Sequence, residues 1–249
     1  MNRHRSKHAT FNISTIQDFV LNERNIENIL IHTIIPALSN PIKEKPQIKK
    51  ETVHSEQFLL PRFNDTLFWC YYIIKNGMSN YEMVHSDGFK DSSEIKIGLV
   101  YTVREHKELL KLNKWKKNII EDELANQKTI SITTFMCICA ISNINIVYID
   151  GRKVYTLMNN EDTQCNIIEK TSHGYSVFIG DDEEKNKKRQ ECIENLWQID
   201  NLKKPLRGIS TYKAKELQNI CGKLQIDILS DKKMPKKKSI LYKLIREYL

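Results

Sequence analysis

The sequence predicts an α+β fold, and three observations carry that expectation. Residues 63–77, FNDTLFWCYYIIKNG, read as a polar turn running into a buried helix. Residues 131–158 read as an apolar helix followed by two alternating strands around Asp150-Gly151, and a pair of short amphipathic helices closes the chain. Helical and alternating periods fall in separate stretches, which is the pattern of this class.

With 249 residues, 40% of them hydrophobic, the chain can bury one good-sized core and leave material for a small second unit. The longest apolar runs, such as residues 135–141, fall short of a membrane span, and the opening MNRHRSKHATFN lacks an apolar signal core. An intracellular setting without membrane contact is therefore expected. Six irregularly spaced cysteines are expected as reduced thiols. The net charge of +8 is unevenly placed: residues 203–249 carry 13 Lys+Arg against 4 Asp+Glu, whereas residues 61–202 carry 18 against 21. A polyanion contact belongs at the C-terminal end.

Taken in order, residues 1–10 read as a basic arm, residues 14–36 as one or two helices, and residues 41–56 as a Lys- and Pro-containing linker. Three parts follow: 1–60 as arm, helical segment and linker, 61–202 as the main α+β domain, and 203–249 as a basic unit. In the main domain Asn64, Asp65 and Thr66 can cap the helix that Gly77 ends. Residues 81–93 are polar and turn-rich. Residues 94–127 carry an apolar stripe and read as two helices broken near Asn113, with Lys111, Lys114, Lys116 and Lys117 on a solvated face. The helix at 131–142 is apolar all round and buried. Strands at 144–149 and 154–158 form a hairpin, residues 165–169 a third strand, and TSHGYSVFIG, residues 171–180, a fourth. Residues 181–188 read as a charged loop, with a helix beginning in 192–197.

Two chemistries compete for this domain. Thr66 and Cys70 lie four residues apart on one helix face, at a terminus whose dipole favours an anion, so either could be a reactive group with His173 as base. The plainer reading makes Cys70 a small core residue and His173 a strand-end side chain. Cys137 and Cys139 have no second pair at metal-ligand spacing and read as core, so no metal and no cofactor is expected.

The C-terminal stretch TYKAKELQNICGKLQIDILSDKKMPKKKSILYKLIREYL has an apolar stripe of Leu217, Ile220, Cys221 and Leu224, an extended Lys-rich link, and a second stripe of Ile240, Leu241, Leu244 and Ile245. Ala214, Leu217, Leu224, Ile226, Lys238, Leu241 and Ile245 resemble the SAP motif and the similar helix-extended-helix fold at the N-terminus of Rho termination factors. Gln225 stands where those motifs have glycine, and the link is longer. The resemblance implies contact with DNA or RNA, here through Lys213, Lys215, Lys232, Lys233, Lys236, Lys237, Lys238 and Lys243, with backbone phosphates as the target. A solvated tail or a protein-docking motif is the competing reading.

Asp65-Thr66-Leu67-Phe68, the helix and strand from Cys137 to Ile149, and His173-Gly174-Tyr175 resemble, in that order, the papain-type cysteine peptidases and most of all the ovarian-tumour deubiquitinases. The resemblance implies a catalytic helix headed by the nucleophile and a strand headed by the base. Thr66 occupies the nucleophile's place, Cys70 lies one turn deeper, a glycine separates His173 from Tyr175, and Asp181 is the acid considered for orienting the imidazole. This departure implies a fold kept for protein binding with catalysis lost. The opening segment also resembles proteins of nucleocytoplasmic large DNA viruses that share D-[ST]-L-F-W-C-[FY]-Y-I-I-x-x-G. The resulting expectation is a non-catalytic viral protein, placed in the virion core or a replication compartment, that joins an unidentified protein partner to nucleic acid, DNA first. The alternatives are a cysteine peptidase using Cys70, His173, Thr66 and Asp65, and a capsid-associated structural protein.

Overall fold

The structure, a computed structural model, describes residues 57–84, 88–160, 163–229 and 234–249, all within one compact unit, Val53–Leu249. The expected arm, N-terminal helical segment and linker lie outside the described residues, as do Asp87 of the expected turn, Lys232 and Lys233.

Strands β1 (Phe58–Leu59), β2 (Asn145–Asp150), β3 (Lys153–Leu157), β4 (Cys165–Thr171), β5 (Gly174–Phe178) and β6 (Trp197–Gln198) form one mixed sheet in the order β1-β5-β4-β2-β3-β6. The β2–β3 hairpin is antiparallel with Asp150 opposite Lys153, and Gly151 takes the positive φ of 61° that its tight turn requires. β2 runs parallel to β4, so both faces of these strands must be covered. On one face Ile146, Leu157, Ile168 and Val177 pack under helices α1 (Thr66–Asn76) and α6 (Ile132–Ile141). On the other, Val147, Ile149, Val154, Ile167 and Phe178 meet Cys192 of helix α7 (Asp182–Asn195). The mixed helix and strand content is that of an α+β protein.

The central helix forms as its sequence dictates. Asp65 accepts from the Phe68 amide at 3.3 Å, Gly77 ends the helix with φ 85°, and Leu67, Phe68, Trp69, Cys70, Tyr71 and Ile73 are buried. Each large apolar side chain contributes about 2 kcal/mol by leaving water. In α6, Ser131 accepts from the Thr134 amide, and the central residues Thr134 to Cys139 are all buried.

Three expectations are corrected. Residues 94–127 hold three helices, not two: α3 (Phe89–Glu105), which starts five residues earlier than expected, α4 (Lys107–Leu112) and α5 (Lys117–Asn126). The break near Asn113 is present, with Lys114 at φ 55°, and a second lies at His106, whose ring Nδ1 meets the Thr102 carbonyl at 2.9 Å. A short helix, α2 (Met78–Glu82), also occupies the start of the expected turn-rich stretch. Finally, residues 182–188 are helical, not a loop, and Trp197 lies in β6 after α7 has ended. Asp181 and Glu184 form a reciprocal capping box, and three acids in the first turn suit the helix dipole.

At the chain's end, α8 (Ala214–Leu224) and α9 (Lys238–Tyr248) are the two expected helices, and between them Leu229 bridges Pro235 in antiparallel fashion. Gln225 takes the left-handed conformation, φ 58°, that glycine would fill in the resembling motif. Leu217, Ile220, Cys221, Leu224, Leu241 and Ile245 share a core with Trp197, Ile199 and Leu206. Arg152 of the hairpin donates to the Lys223 carbonyl at 2.6 Å, and Lys223 donates to the Ile193 carbonyl at 3.0 Å. The small unit is thus fixed to the main domain by shared side chains and two cationic hydrogen bonds.

Asp65 and Lys96 form a buried ion pair at 2.6 Å, with side chains 6% and 7% exposed. Asp65→Ala is expected to cost about 3–5 kcal/mol, because it strands the Lys96 ammonium in the interior. The partly exposed Arg104–Glu121 pair should be nearly neutral to removal of Arg104, because Arg104 is exposed and Lys117 also lies 3.7 Å from Glu121. Urea unfolding of both variants checks this, and equal midpoints would refute it.

Candidate functional site

The chemistry-bearing residues gather where the start of α1 meets the start of β5. Thr66 is the first residue of α1, and its Oγ1 accepts from the Tyr175 amide at 3.0 Å. One turn on, the Cys70 thiol donates to the Tyr175 carbonyl at 3.5 Å. The two candidate nucleophiles therefore hold both backbone groups of one β5 residue, which is what an i, i+4 pair on a single helix face can do. Gly174 makes this approach possible. Its φ is 135°, and a Cβ there would stand 2.6 Å from Thr66 Oγ1, so the glycine between His173 and Tyr175 is required by packing.

His173 sits at the strand entrance with an exposed side chain, its amide donating to Thr171 Oγ1 at 3.2 Å. Among the described residues its imidazole has no hydrogen-bond partner, and the Cys70 thiol meets the backbone two residues beyond it. The structure thus brings Thr66 beside the strand that His173 heads and keeps Cys70 in the core. Burial, and then the charge of Asp65, push the Cys70 thiol far above the ordinary thiol range. A nucleophilic thiolate needs the opposite shift.

Asp65 is equally committed. Its oxygens accept from the amides of Phe68 and Ile130 and from Lys96, so the carboxylate works as a junction between elements. Asp181 accepts from the Glu184 amide at 2.9 Å and caps α7, which occupies the acid considered for orienting an imidazole. Cys137 and Cys139 are fully buried in α6, with the Cys137 thiol pushed up to about 12 by burial. Among the described residues no three His, Cys, Asp or Glu side chains form a metal site, and no helix is long and apolar enough to cross a membrane.

Lys96 is the residue that sequence reasoning missed. It is a buried lysine in the stripe Lys96, Leu99, Val100 and Val103 of α3. A charge at an apolar position of the helix period, with a capping aspartate elsewhere to pair with it, was the available signal.

In the basic unit Lys213, Lys215, Lys237 and Lys243 are exposed, and Lys236 and Lys238 are half-buried. Lys236 is used internally, donating to the Asp227 carbonyl at 2.7 Å, and Lys243 is 3.7 Å from Glu247. Lys237 and Lys238 stand at the start of α9, where backbone N–H groups face outward. The glutamate of α8's first turn, Glu216, accepts from the Lys213 amide at 2.6 Å, leaving the Lys213 ammonium to solvent.

All six cysteines are buried free thiols, each shifted upward chiefly by burial. In the native protein Cys70 is expected to resist iodoacetamide at neutral pH as fully as Cys139, with or without His173→Ala; rapid His173-dependent labelling of Cys70 would contradict the core assignment. Raised folded values mean that the neutral thiols favour the native state fully below the unfolded thiol value, about 8.5. That contribution then falls as pH rises towards the buried values, about 11 for Cys192 and about 12 for Cys137. Urea midpoints should therefore decline above about pH 8.5, and a flat profile there would refute the shifts. No family model, no curated protein and no solved structure matches this chain, so its function is read from this geometry.

Proposed function

We propose that this is a non-catalytic protein in which a papain-like, deubiquitinase-like domain serves protein binding and the basic C-terminal unit holds nucleic acid, DNA in the first instance. The observation that carries the reading is Thr66 at the first position of α1, with its hydroxyl bound to the strand that His173 heads. A cysteine peptidase would carry its thiol at that position, with the helix terminus stabilising the thiolate and the imidazole taking the proton. A threonine hydroxyl there remains protonated at neutral pH, and the nearest thiol on the same face, Cys70, is buried and shifted the wrong way. The cysteine peptidase alternative therefore has no supporting group at Cys70. A viral setting, in the virion core or a replication compartment, belongs to the same proposal and rests on the α1 motif alone.

The nucleic-acid part is supported by the charge partition and by Lys213, Lys215 and Lys237, which are exposed and form no ion pair with an acid among the described residues. Phosphate contacts of this kind give affinity without base readout and weaken steeply with salt. A capsid-associated role for the same tail would instead give packing in particles without affinity for free DNA.

Two experiments test the halves separately. Thr66→Cys places a thiol at the helix terminus; it is expected to react with iodoacetamide faster than any native cysteine and to slow when His173→Ala is added. An introduced thiol as inert as Cys70 would end the papain-like reading. For the basic unit, the full chain should bind duplex DNA with a log–log salt slope that becomes shallower by about 3 when Lys213, Lys215 and Lys237 are changed to alanine. The full chain is needed because truncation would bare Trp197 and Ile199. An unchanged slope would remove this surface from the proposal.

A further inference from the structure

We propose that the cavity between the start of α1, the first turns of α3 and the end of α5 binds a small ligand with a flat apolar body and one oxyanion. The cavity measures about 530 Å3 and is walled by Phe63, Trp69, Ile97 and Leu124, with Asp65 and Lys96 also lining it. It is separate from the α1–β5 junction. Asp65 and Trp69 are four residues apart on one side of α1, about 100° around the helix from Thr66 and Cys70.

The flat body follows from the aromatic wall. The Phe63 and Trp69 rings lie 4.6 Å apart, centroid to centroid, and are tilted by 39°. Gly88 backs them so closely that a Cβ there would stand 2.9 Å from Phe63 and 3.0 Å from Trp69, which holds the two rings in place before any ligand arrives. The oxyanion follows from the polar groups. Both Asp65 oxygens already accept hydrogen bonds, from two backbone amides and from Lys96. The Lys96 ammonium has three donors, and among the described residues Asp65 is its one hydrogen-bond partner; the Phe68 ring lies 5.1 Å from the ammonium. Its remaining donor capacity suits an incoming acceptor. Lys128 also lines the cavity, with an exposed side chain, so Asp65 is outnumbered by two ammonium groups and the lining favours an anion.

The shared chemistry is an aromatic carboxylate or an aromatic phosphate monoester, and the probe is 2-naphthoate, with 2-naphthyl phosphate as the second arm. Calorimetry on the full chain is expected to give a dissociation constant of about 1 mM or tighter for at least one arm, and the better arm names the oxyanion. Naphthalene-2-methanol, the same body without charge, is expected to bind about tenfold more weakly. Ile97 is 51% exposed, so Ile97→Trp should fill the cavity without disturbing the fold and abolish binding. Lys128→Ala should weaken it about two- to threefold, with less effect at high salt. Lys96→Met would strand Asp65 and risk unfolding, so the site is decided by Ile97→Trp. Absence of saturable binding by both anions, or binding that survives Ile97→Trp, overturns the proposal; equal affinity for the alcohol overturns its anionic part.

Discussion

One carboxylate holds the domain's helical layer in register. Asp65 caps α1, pairs with Lys96 on α3, and accepts from the Ile130 amide just before α6. Three segments distant in sequence are thereby referred to a single side chain. An ion pair this deep loses much of its Coulomb energy to desolvation, so its net stabilisation is small. Its importance is geometric: the charges and amides there are satisfied only in this arrangement, and any other packing of α1 against α3 leaves one of them buried without a partner.

The α1–β5 junction works by the same economy. Thr66 and Cys70 occupy adjacent turns and take hold of the amide and carbonyl of Tyr175. Those bonds commit the Thr66 hydroxyl and the Cys70 thiol to the backbone of one strand residue. Gly174 lets the strand approach closely enough to use them. The close contact that fixes the junction thus uses the two polar side chains that the α1 face presents to β5.

Most of the architecture was legible because it is written in local signals. The cap and stop of α1, the all-round apolar α6, the Asp150-Gly151 hairpin and the two C-terminal stripes each announced themselves within a dozen residues. The start of α7 had a signal, Asp181 three residues before Glu184, but no apolar stripe to go with it, and a run of charges read as loop. The helix holds because its terminus is doubly capped and Cys192 alone is fully buried from it. The sheet order was not readable, since the parallel pairing of β2 with β4 depends on α7 covering the far face. For Cys70 the plainer reading, a small core residue, is the one the burial bears out. Lys96 left only the trace of a charge in an apolar stripe: a lysine is acceptable inside only if an acid meets it, and the acid lies 31 positions away in the chain.

The bond from the Tyr175 amide to Thr66 Oγ1 joins residues 109 apart. At a synthesis rate of about 5–20 residues per second, the partner strand leaves the ribosome roughly 5–20 s after α1 does. For that interval the most aromatic helix of the chain, with Phe68, Trp69 and Tyr71 together, has no sheet to cover it. Closing a loop of such separation costs chain entropy before its contacts repay it. The apolar strength that makes α1 a good centre for the finished core makes it, during synthesis, the segment most exposed to chaperones and to association with other nascent chains.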